Sequence, residues 1–401
     1  CLVTGRREEI ARIHGTIKGV QGAQSSGAAL VSFNAPAFES YGKEQSFNAP
    51  VGTYAAYAYT TALNYLLSDR SHGTTIGDTA VVYWSEEGDE RYQNIFACVS
   101  EPTMENQEIV DGVFKNLAEG KAVVAQDVKD SLDMEKRFYI LGLAPNAARL
   151  AVRFFYHDSF GNILKHIKEH YDRMEIVRPA ADAVEYLGIW RMLQETVNKK
   201  SRDKKPVPSM SGAVYRSIIS GSRYPASLYQ AVLGRIRAEQ DDGDSRIYKI
   251  TRGRAAIIKA YLLKNGNIRE EITMALNEDS NNTAYILGRE FAVLEAIQEE
   301  ANPGINATIK DKYFNSACAT PAAIFPILFK LKNSHIKKMN NGAKETYYEK
   351  MLCDLQGRLT VAEGQRAACP RRLTLEEQGM FILGYYHQTQ KRYEKKIKEE
   401  A

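Results

Sequence analysis

A glycine-rich, polar stretch at residues 18–52 is the feature that most constrains how this chain can fold. It contains five glycines and repeats the pentapeptide Ser-Phe-Asn-Ala-Pro. Glycine permits positive φ and close backbone approach, and it weakens a core strand. Apolar side chains in the stretch nevertheless favour burial, namely Val31, Phe33, Phe38 and Phe47. The pattern therefore predicts an ordered irregular segment, which either ties two subdomains together or binds another molecule.

Uncharged hydrogen-bonding side chains and two lysines in this stretch suit the phosphates, sugars and base edges of nucleic acid. The candidate contacts are Lys18, Gln24, Ser25, Ser26, Asn34, Lys43, Gln45 and Asn48. Gly22 and Gly27 have the spacing of a phosphate-binding loop, but Ala28 and Ala29 stand where that motif requires a lysine and a hydroxyl residue. Nucleotide hydrolysis is therefore not expected.

The charge balance is only mildly basic, with 53 basic and 49 acidic residues and a formal net charge of +4. Any nucleic-acid surface must therefore be a local patch. No apolar run approaches the ~20 residues of a membrane span, and the first residues lack the apolar core of a signal peptide. The five cysteines are scattered, which favours a reducing cytoplasm over a structural zinc site. Because the chain begins at Cys1, we expect an N-terminal part to precede it.

Hydrophobic periodicity predicts an α+β protein, with a mixed N-terminal half followed by an all-α helical bundle. We expect a buried helix at residues 54–67. Strands are predicted at residues 79–84, 92–99, 137–143 and 150–156. Helices are predicted at residues 107–120, 158–174, 226–237, 254–264, 284–299, 321–339, 345–359 and 375–396. A charged linker at 198–209 and these elements suggest four regions, at residues 1–125, 126–200, 201–275 and 276–401.

Acid-poor clusters of lysine and arginine in the helical half are candidates for phosphate binding. The residues chosen are Arg252, Arg254, Lys330, Lys337 and Lys338. A single cluster of this kind is more often a solvated face, but several occur together in this half.

One short motif could carry catalysis. His166, Glu169 and His170 match the inverted zinc-protease pattern, and the two histidines share a helix face. The apolar residues beside them favour an ordinary packed helix instead. No other catalytic set stands out, so we predict no catalytic residue, no metal and no cofactor, and we expect a protein that is not an enzyme.

Five long blocks carry a resemblance to a known family. They comprise residues 18–52, 54–70, 137–171, 224–240 and 373–393. Together they resemble the large subunit of type I-C CRISPR surveillance (Cascade) complexes, in order and across the whole chain. That family has a further segment before the position of Cys1, which this sequence lacks.

The resemblance implies a non-catalytic subunit that helps recognise the protospacer-adjacent motif, stabilises the R-loop and recruits the helicase-nuclease. It implies crRNA, target double-stranded DNA, the displaced strand, and the backbone and handle-binding subunits of Cascade as partners. It also implies a C-terminal bundle like the Cascade small subunit. A zinc hydrolase that uses the histidine motif and a purely structural scaffold remain as alternatives.

In such complexes a separate small subunit is made from within the large-subunit gene, and Met274 is the candidate start here. The predicted bundle begins just after it, so the short product would lose no bundle helix. Residues Arg269, Glu270 and Glu271 can be encoded by a bacterial ribosome-binding sequence. The alternative is an ordinary internal methionine in an acidic helix end.

Overall fold

The fold is taken from a computed structural model. The structure describes residues 1–123, 131–268, 272–359 and 369–400, except the side chains of Arg70 and of residues 395–400. The predicted boundary between residues 125 and 126 lies outside this part of the chain, as do Arg269, Glu270 and Glu271.

The chain divides into two compact units. The first comprises residues 1–169, 188–193 and 205–225, and the second comprises residues 170–187, 194–204 and 226–401. The α+β class with a helical C-terminal half is confirmed. The helices from residue 226 onward belong to one unit, however, whereas the sequence suggested separate regions before and after residue 275.

A four-stranded antiparallel sheet organises the first unit, with its strands in sequence order. The elements of this unit are α1 (Thr53–Ser68), β1 (Gly73–Ile76), β2 (Thr79–Ser85), α2 (Glu90–Ser100), α3 (Gln107–Ala118), β3 (Arg137–Asn146), β4 (Arg149–Ser159), α4 (Phe160–Met174), α5 (Ile189–Gln194) and α6 (Pro208–Ile219). The last residues of α4, from His170, and of α5, Gln194, belong to the second unit. The predicted hairpin of β3 and β4 and the helix after it are confirmed, as is the strand at residues 79–84.

Two predictions for the first unit are wrong. Residues 92–99 form the helix α2, because Tyr92, Phe96 and Val99 are buried at helical spacing and Asp89 caps the Arg91 N–H at 3.0 Å. The helix α1 is only half buried. It packs with Ala55, Ala56 and Leu63, but Tyr54 is 71% exposed.

The second unit is all-helical in its C-terminal part. It contains α7 (Ala226–Ala238), α8 (Arg252–Asn265), α9 (Thr283–Ala301), α10 (Ile309–Ala319), α11 (Pro321–Met339), α12 (Gly342–Arg358) and α13 (Leu375–Glu400). The predicted bounds of α11 are reproduced. The capping box at the start of α13 is confirmed, since the Thr374 N–H donates to Glu377 and the Glu377 N–H to Thr374 Oγ1. Helix α10 was not predicted.

The closest helix contact in this unit joins α9 to α13. A Cβ atom at Gly288 would overlap the carbonyl oxygen of Phe381, and one at Gly384 would overlap that of Tyr285. The two backbones therefore meet at positions where only glycine fits. Nearly every side chain from Ala284 to Ile297 is buried around this crossing.

We predict that Gly288→Ala destabilises the chain by about 3 kcal/mol or more, because the obstructing atoms are backbone and the helices must separate. Chemical denaturation of the whole chain measures this. Gly234→Ala in α7 is the matched control, since a Cβ there meets nothing within 4 Å. It should be neutral or stabilising by ~0.5–1 kcal/mol. Equal effects at both glycines would contradict the close crossing.

Candidate nucleic-acid interface

The glycine-rich stretch begins with a loop that is closed at its base. The Ile17 N–H donates to the Ala28 carbonyl and the Ala28 N–H donates back to Ile17, each at 2.9 Å. Gly27 has a φ of +104°, and a Cβ there would lie 2.8 Å from the Thr16 side chain. A side chain at this position would therefore push the two arms of the loop apart.

Apolar burial fixes this loop on one face of the sheet. Ile17, Val20 and Ala28 are buried together with Leu63 of α1 and with the sheet residues Ala80, Val82, Leu143 and Leu150. The loop is also tied to the β3–β4 turn, since the Ala29 N–H donates to Ala148 O and the Leu150 N–H to Ala29 O, both at 3.0 Å. The tip of the loop is thus held by a rigid base.

The polar tip of the loop points away from this core. Gln24, Ser25 and Ser26 are all exposed, and so is Lys18 at its start. Within the described part of the chain, the three tip side chains form no hydrogen bond. They offer neutral donors and acceptors that can reach base edges or phosphate oxygens.

The other candidates in the stretch have structural partners. Asn48 donates to the carbonyls of Lys43 and Gln45 and accepts from the Ser40 N–H. Gln45 accepts from Arg12 at 2.6 Å, and Asn34 accepts from Arg149 at 3.1 Å. These three side chains stabilise the fold of the stretch itself, whereas Lys43 is exposed. Phe38 and Phe47 also stay partly exposed, against expectation.

The expectation that Arg252 and Arg254 lie on a basic surface is wrong. Arg254 has no exposed area and pairs with Glu239 at 2.6 Å and Glu195 at 3.4 Å. Arg252 pairs with Asp182 at 2.9 Å and donates to backbone carbonyls. Both guanidinium groups neutralise internal carboxylates, so they cannot reach a phosphate without breaking these pairs.

The three lysines of α11 remain on the surface. Among the described residues, Lys330 and Lys337 pair with no carboxylate, and Lys338 donates to the side-chain oxygen of Asn302. Lys332 on the same helix differs, since it pairs with Glu349 at 2.6 Å. The exposed lysines therefore keep charge that a phosphate chain can neutralise.

The two histidines of the zinc-protease pattern lie on α4 in different surroundings. His166 Nδ1 lies 3.1 Å from the carbonyl oxygen of Ile219. His170 is completely buried, and burial lowers its pKa to about 3. In the described ranges no group of three or more histidine, cysteine or carboxylate side chains could hold a metal ion. The geometry therefore gives the hydrolase alternative no support.

Sequence reasoning missed an exposed aromatic patch on the sheet, formed by Trp84, Tyr139, Phe155 and His157. Strand register places Trp84, Tyr139 and His157 side by side across β2, β3 and β4. Phe155 lies two residues before His157 on β4 and is 52% exposed. The β-prone run that contains Phe155 and His157 was the available signal in the sequence, but it does not reveal which strands are neighbours.

Comparison with known proteins places the chain in a class of defence proteins, the CRISPR-associated proteins. The family model described as CRISPR-associated protein (Cas_Csd1) matches residues 1–393. The chain therefore belongs to the Cas_Csd1 family, and this supports a component of a Cascade-type CRISPR system. No curated protein matches it. Among the helices of the described ranges, none combines the length and apolar character that a membrane crossing requires.

Charge removal at Arg254 and at the α11 lysines should separate a structural role from a binding role. Arg254→Met should destabilise the chain by about 3–5 kcal/mol, because it leaves buried carboxylates unpaired. Joint replacement of Lys330, Lys337 and Lys338 by Gln should leave stability unchanged. It should reduce the salt dependence of DNA binding by ~0.7–0.9 logarithmic units for each phosphate that the variant no longer neutralises.

Denaturation and DNA titrations at several salt concentrations measure both effects. Lys332→Gln is the matched control, since its charge is already paired with Glu349. A folded Arg254→Met chain with a reduced salt slope would show that this arginine does contact DNA.

Proposed function

We propose that this chain is a non-catalytic large subunit of a type I-C Cascade complex, which binds crRNA-guided target DNA. The observation that carries the proposal is the Gln24–Ser25–Ser26 tip, which is exposed and neutral on a rigid base. A rigid loop of neutral hydrogen-bonding groups suits the reading of a short duplex motif, while base pairing with the guide reads the remaining sequence. Membership of the Cas_Csd1 family supports a role within a Cascade-type CRISPR system.

The lysines of α11 have a second role in the proposed function. Lys330, Lys337 and Lys338 would hold the phosphates of the displaced strand and so stabilise the R-loop. The proposed partners are crRNA, target double-stranded DNA, the backbone and handle-binding subunits of Cascade, and the recruited helicase-nuclease.

Several buried ionisable groups support a non-catalytic role because they have partners inside the fold. Burial raises the pKa of Glu101 to about 7, yet its carboxylate accepts the Trp190 N–H at 3.2 Å. A cavity of about 770 Å³ in the second unit is lined by apolar and charged side chains, and some of the charged ones pair inside the fold. In it Lys310 lies 2.5 Å from Asp241, and Tyr385 donates to Glu295 at 2.5 Å. Such groups stabilise packing and leave little capacity for a substrate.

Replacing Gln24, Ser25 and Ser26 together by Ala should weaken target-duplex binding by roughly ten- to hundredfold, since each hydrogen bond removed is worth ~0.5–1.5 kcal/mol. Thermal unfolding should be unchanged because all three side chains are exposed. Duplex affinity of the assembled complex is the measurement, and Thr61→Ala on the exposed side of α1 is the control. Unaltered affinity in an assembled triple variant would refute the assignment of the tip.

We also propose that a small subunit is translated from Met274. This residue lies between α8 and α9 and is 46% exposed. The five helices α9 to α13 follow it. The expectation that the short product loses no bundle helix is wrong, since Tyr229 of α7 donates to Leu375 O at 2.7 Å and Arg237 donates to Gln378 at 2.6 Å. A product from Met274 therefore exposes this side of α13, which several copies in a row could cover.

Synonymous recoding of Glu270 and Glu271 should abolish the short product and leave the full chain unchanged, because it removes the ribosome-binding sequence alone. Immunoblotting with an antibody to α13 detects both products. Recoding of Glu299 and Glu300 serves as the control. If the short product persists after recoding, or is not made from the unaltered gene, Met274 is an ordinary internal methionine.

A further inference from the structure

One face of the sheet in the first unit is only half covered. The buried cluster of Ile17, Val20, Ala28 and Leu63 packs on the part that contains Ala80, Val82, Leu143 and Leu150. Trp84 and Leu141 lie at the border of this cluster and are half buried. Beyond them the aromatic patch continues the same face toward the other end of β3 and β4, without a covering element among the described residues.

In the aromatic patch the rings of Trp84 and Phe155 are nearly parallel to that of Tyr139, whereas the ring of His157 is tilted by 41°. The planes of Trp84 and Tyr139 are 11° apart, with ring centroids separated by 5.5 Å. Tyr139 and Phe155 are 19° apart, with centroids separated by 6.4 Å. His157 lies 5.6 Å from Tyr139. These mutual contacts restrict the rings before any ligand arrives, so a planar ligand finds an ordered surface.

An arginine beside the patch can contact a phosphate. Arg137 begins β3 on the same face as Tyr139, is exposed, and forms no ion pair within the described ranges. Glu86 is the acidic residue across from it, linked through the Glu86 N–H to the Arg137 carbonyl at 3.0 Å. It too forms no ion pair with a described residue. The arginine is therefore available to a phosphate.

We propose that the aromatic patch binds unpaired bases of a single-stranded nucleic acid by stacking, with Arg137 contacting the backbone. Aromatic side chains on the open face of a four-stranded sheet are a recurrent way to bind two or three bases of a single strand. The strands here pair in sequence order. The resemblance to such proteins is therefore limited to the exposed aromatic residues and does not extend to the topology of the sheet. The inference rests on the proposed nucleic-acid-binding function and adds a base-stacking site for single strands to the duplex-reading tip and the phosphate-binding lysines of α11.

Position and composition favour nucleic acid over a protein occupant. The patch borders the cluster that carries the Gln24–Ser25–Ser26 tip, so both lie on one face of the sheet. Its members are planar rings with an adjoining free guanidinium, a pairing that suits alternating bases and phosphates. Where duplex is opened beside the tip, an unpaired strand is the nearest available ligand.

The test compares two Phe155 variants of the full chain by fluorescence anisotropy with labelled oligodeoxythymidine and oligouridine. Phe155→Leu keeps apolar volume but removes the ring, and Phe155→Ala removes both. Each should bind about tenfold more weakly than the unaltered chain, as expected when one base–aromatic stack is removed. Tyr57→Ala is the matched control, since that ring is 69% exposed on α1 outside the patch. Its binding should be unchanged.

A second readout reports contact at the patch itself. The chain has two tryptophans, Trp84 and Trp190. In a Trp190→Phe background, oligonucleotide binding should quench the remaining Trp84 emission. Arg137→Gln should reduce the salt slope of single-strand binding by ~0.7, whereas the Phe155 variants should leave the slope unchanged.

The outcomes separate this inference from the proposed function. Weaker binding of oligodeoxythymidine alone identifies the displaced DNA strand as the ligand, and weaker binding of oligouridine alone identifies an RNA strand. Unaltered binding by Phe155→Leu overturns the stacking role. Unaltered oligonucleotide binding by both variants, with loss of assembly into the complex, shows a protein-docking surface instead. If the unaltered chain binds neither duplex nor single strands, the proposed function itself fails.

Discussion

Burial of three small apolar side chains against the sheet is the interaction on which the candidate interface depends. Ile17, Val20 and Ala28 convert a polar, glycine-rich segment into a fixed loop, because their apolar area is removed from water on a surface that strands already make rigid. Without that anchor, the tip would have to become ordered when a ligand binds, and the free energy of ordering would weaken the binding. The same burial leaves the rest of the sheet face open.

The distribution of charge follows the same division between interior and surface. In the second unit Arg254, Arg252 and Lys310 are paired with carboxylates inside the fold, whereas Lys330 and Lys337 stay in solvent. The second unit is stable only when each of these internal ion pairs is formed, since an unpaired buried charge is strongly destabilising. Only the external lysines can add to the electrostatic field that a nucleic acid meets.

Local patterns in the sequence were sufficient for much of the fold. The start of α11 follows from Thr320 and Pro321, and the β3–β4 hairpin follows from two β-prone runs around a short turn. The strand predicted at residues 92–99 failed because tyrosine, phenylalanine and valine favour strands, while their spacing and the cap at Asp89 favour a helix. Periodicity should have prevailed over propensity there.

The candidate site was less predictable because it depends on distant partners. The carboxylates that neutralise Arg254 are Glu195 and Glu239, and a count of charges along the chain cannot show that they meet it. Asn48 and Gln45 are residue types typical of a binding site, but the Asn48 side chain donates to the Lys43 carbonyl and the Gln45 side chain accepts from Arg12. The aromatic patch needs the register of three strands. The exposed tip at Gln24, Ser25 and Ser26 and the exposed lysines of α11 could be found from sequence alone, because neither depends on a distant partner.

The glycine crossing of α9 and α13 has a consequence for how the protein is made. Gly384 leaves the ribosome about 100 residues after Gly288, which is roughly 5–20 s of synthesis at ordinary elongation rates. During that interval α9 exists without the helix that covers most of its apolar surface. The early-emerging helices α7 and α8 also wait for α13, since both pack on it. Completion of the second unit is therefore a late event, and a chain interrupted before α13 exposes a helix that is buried along most of its length in the finished fold.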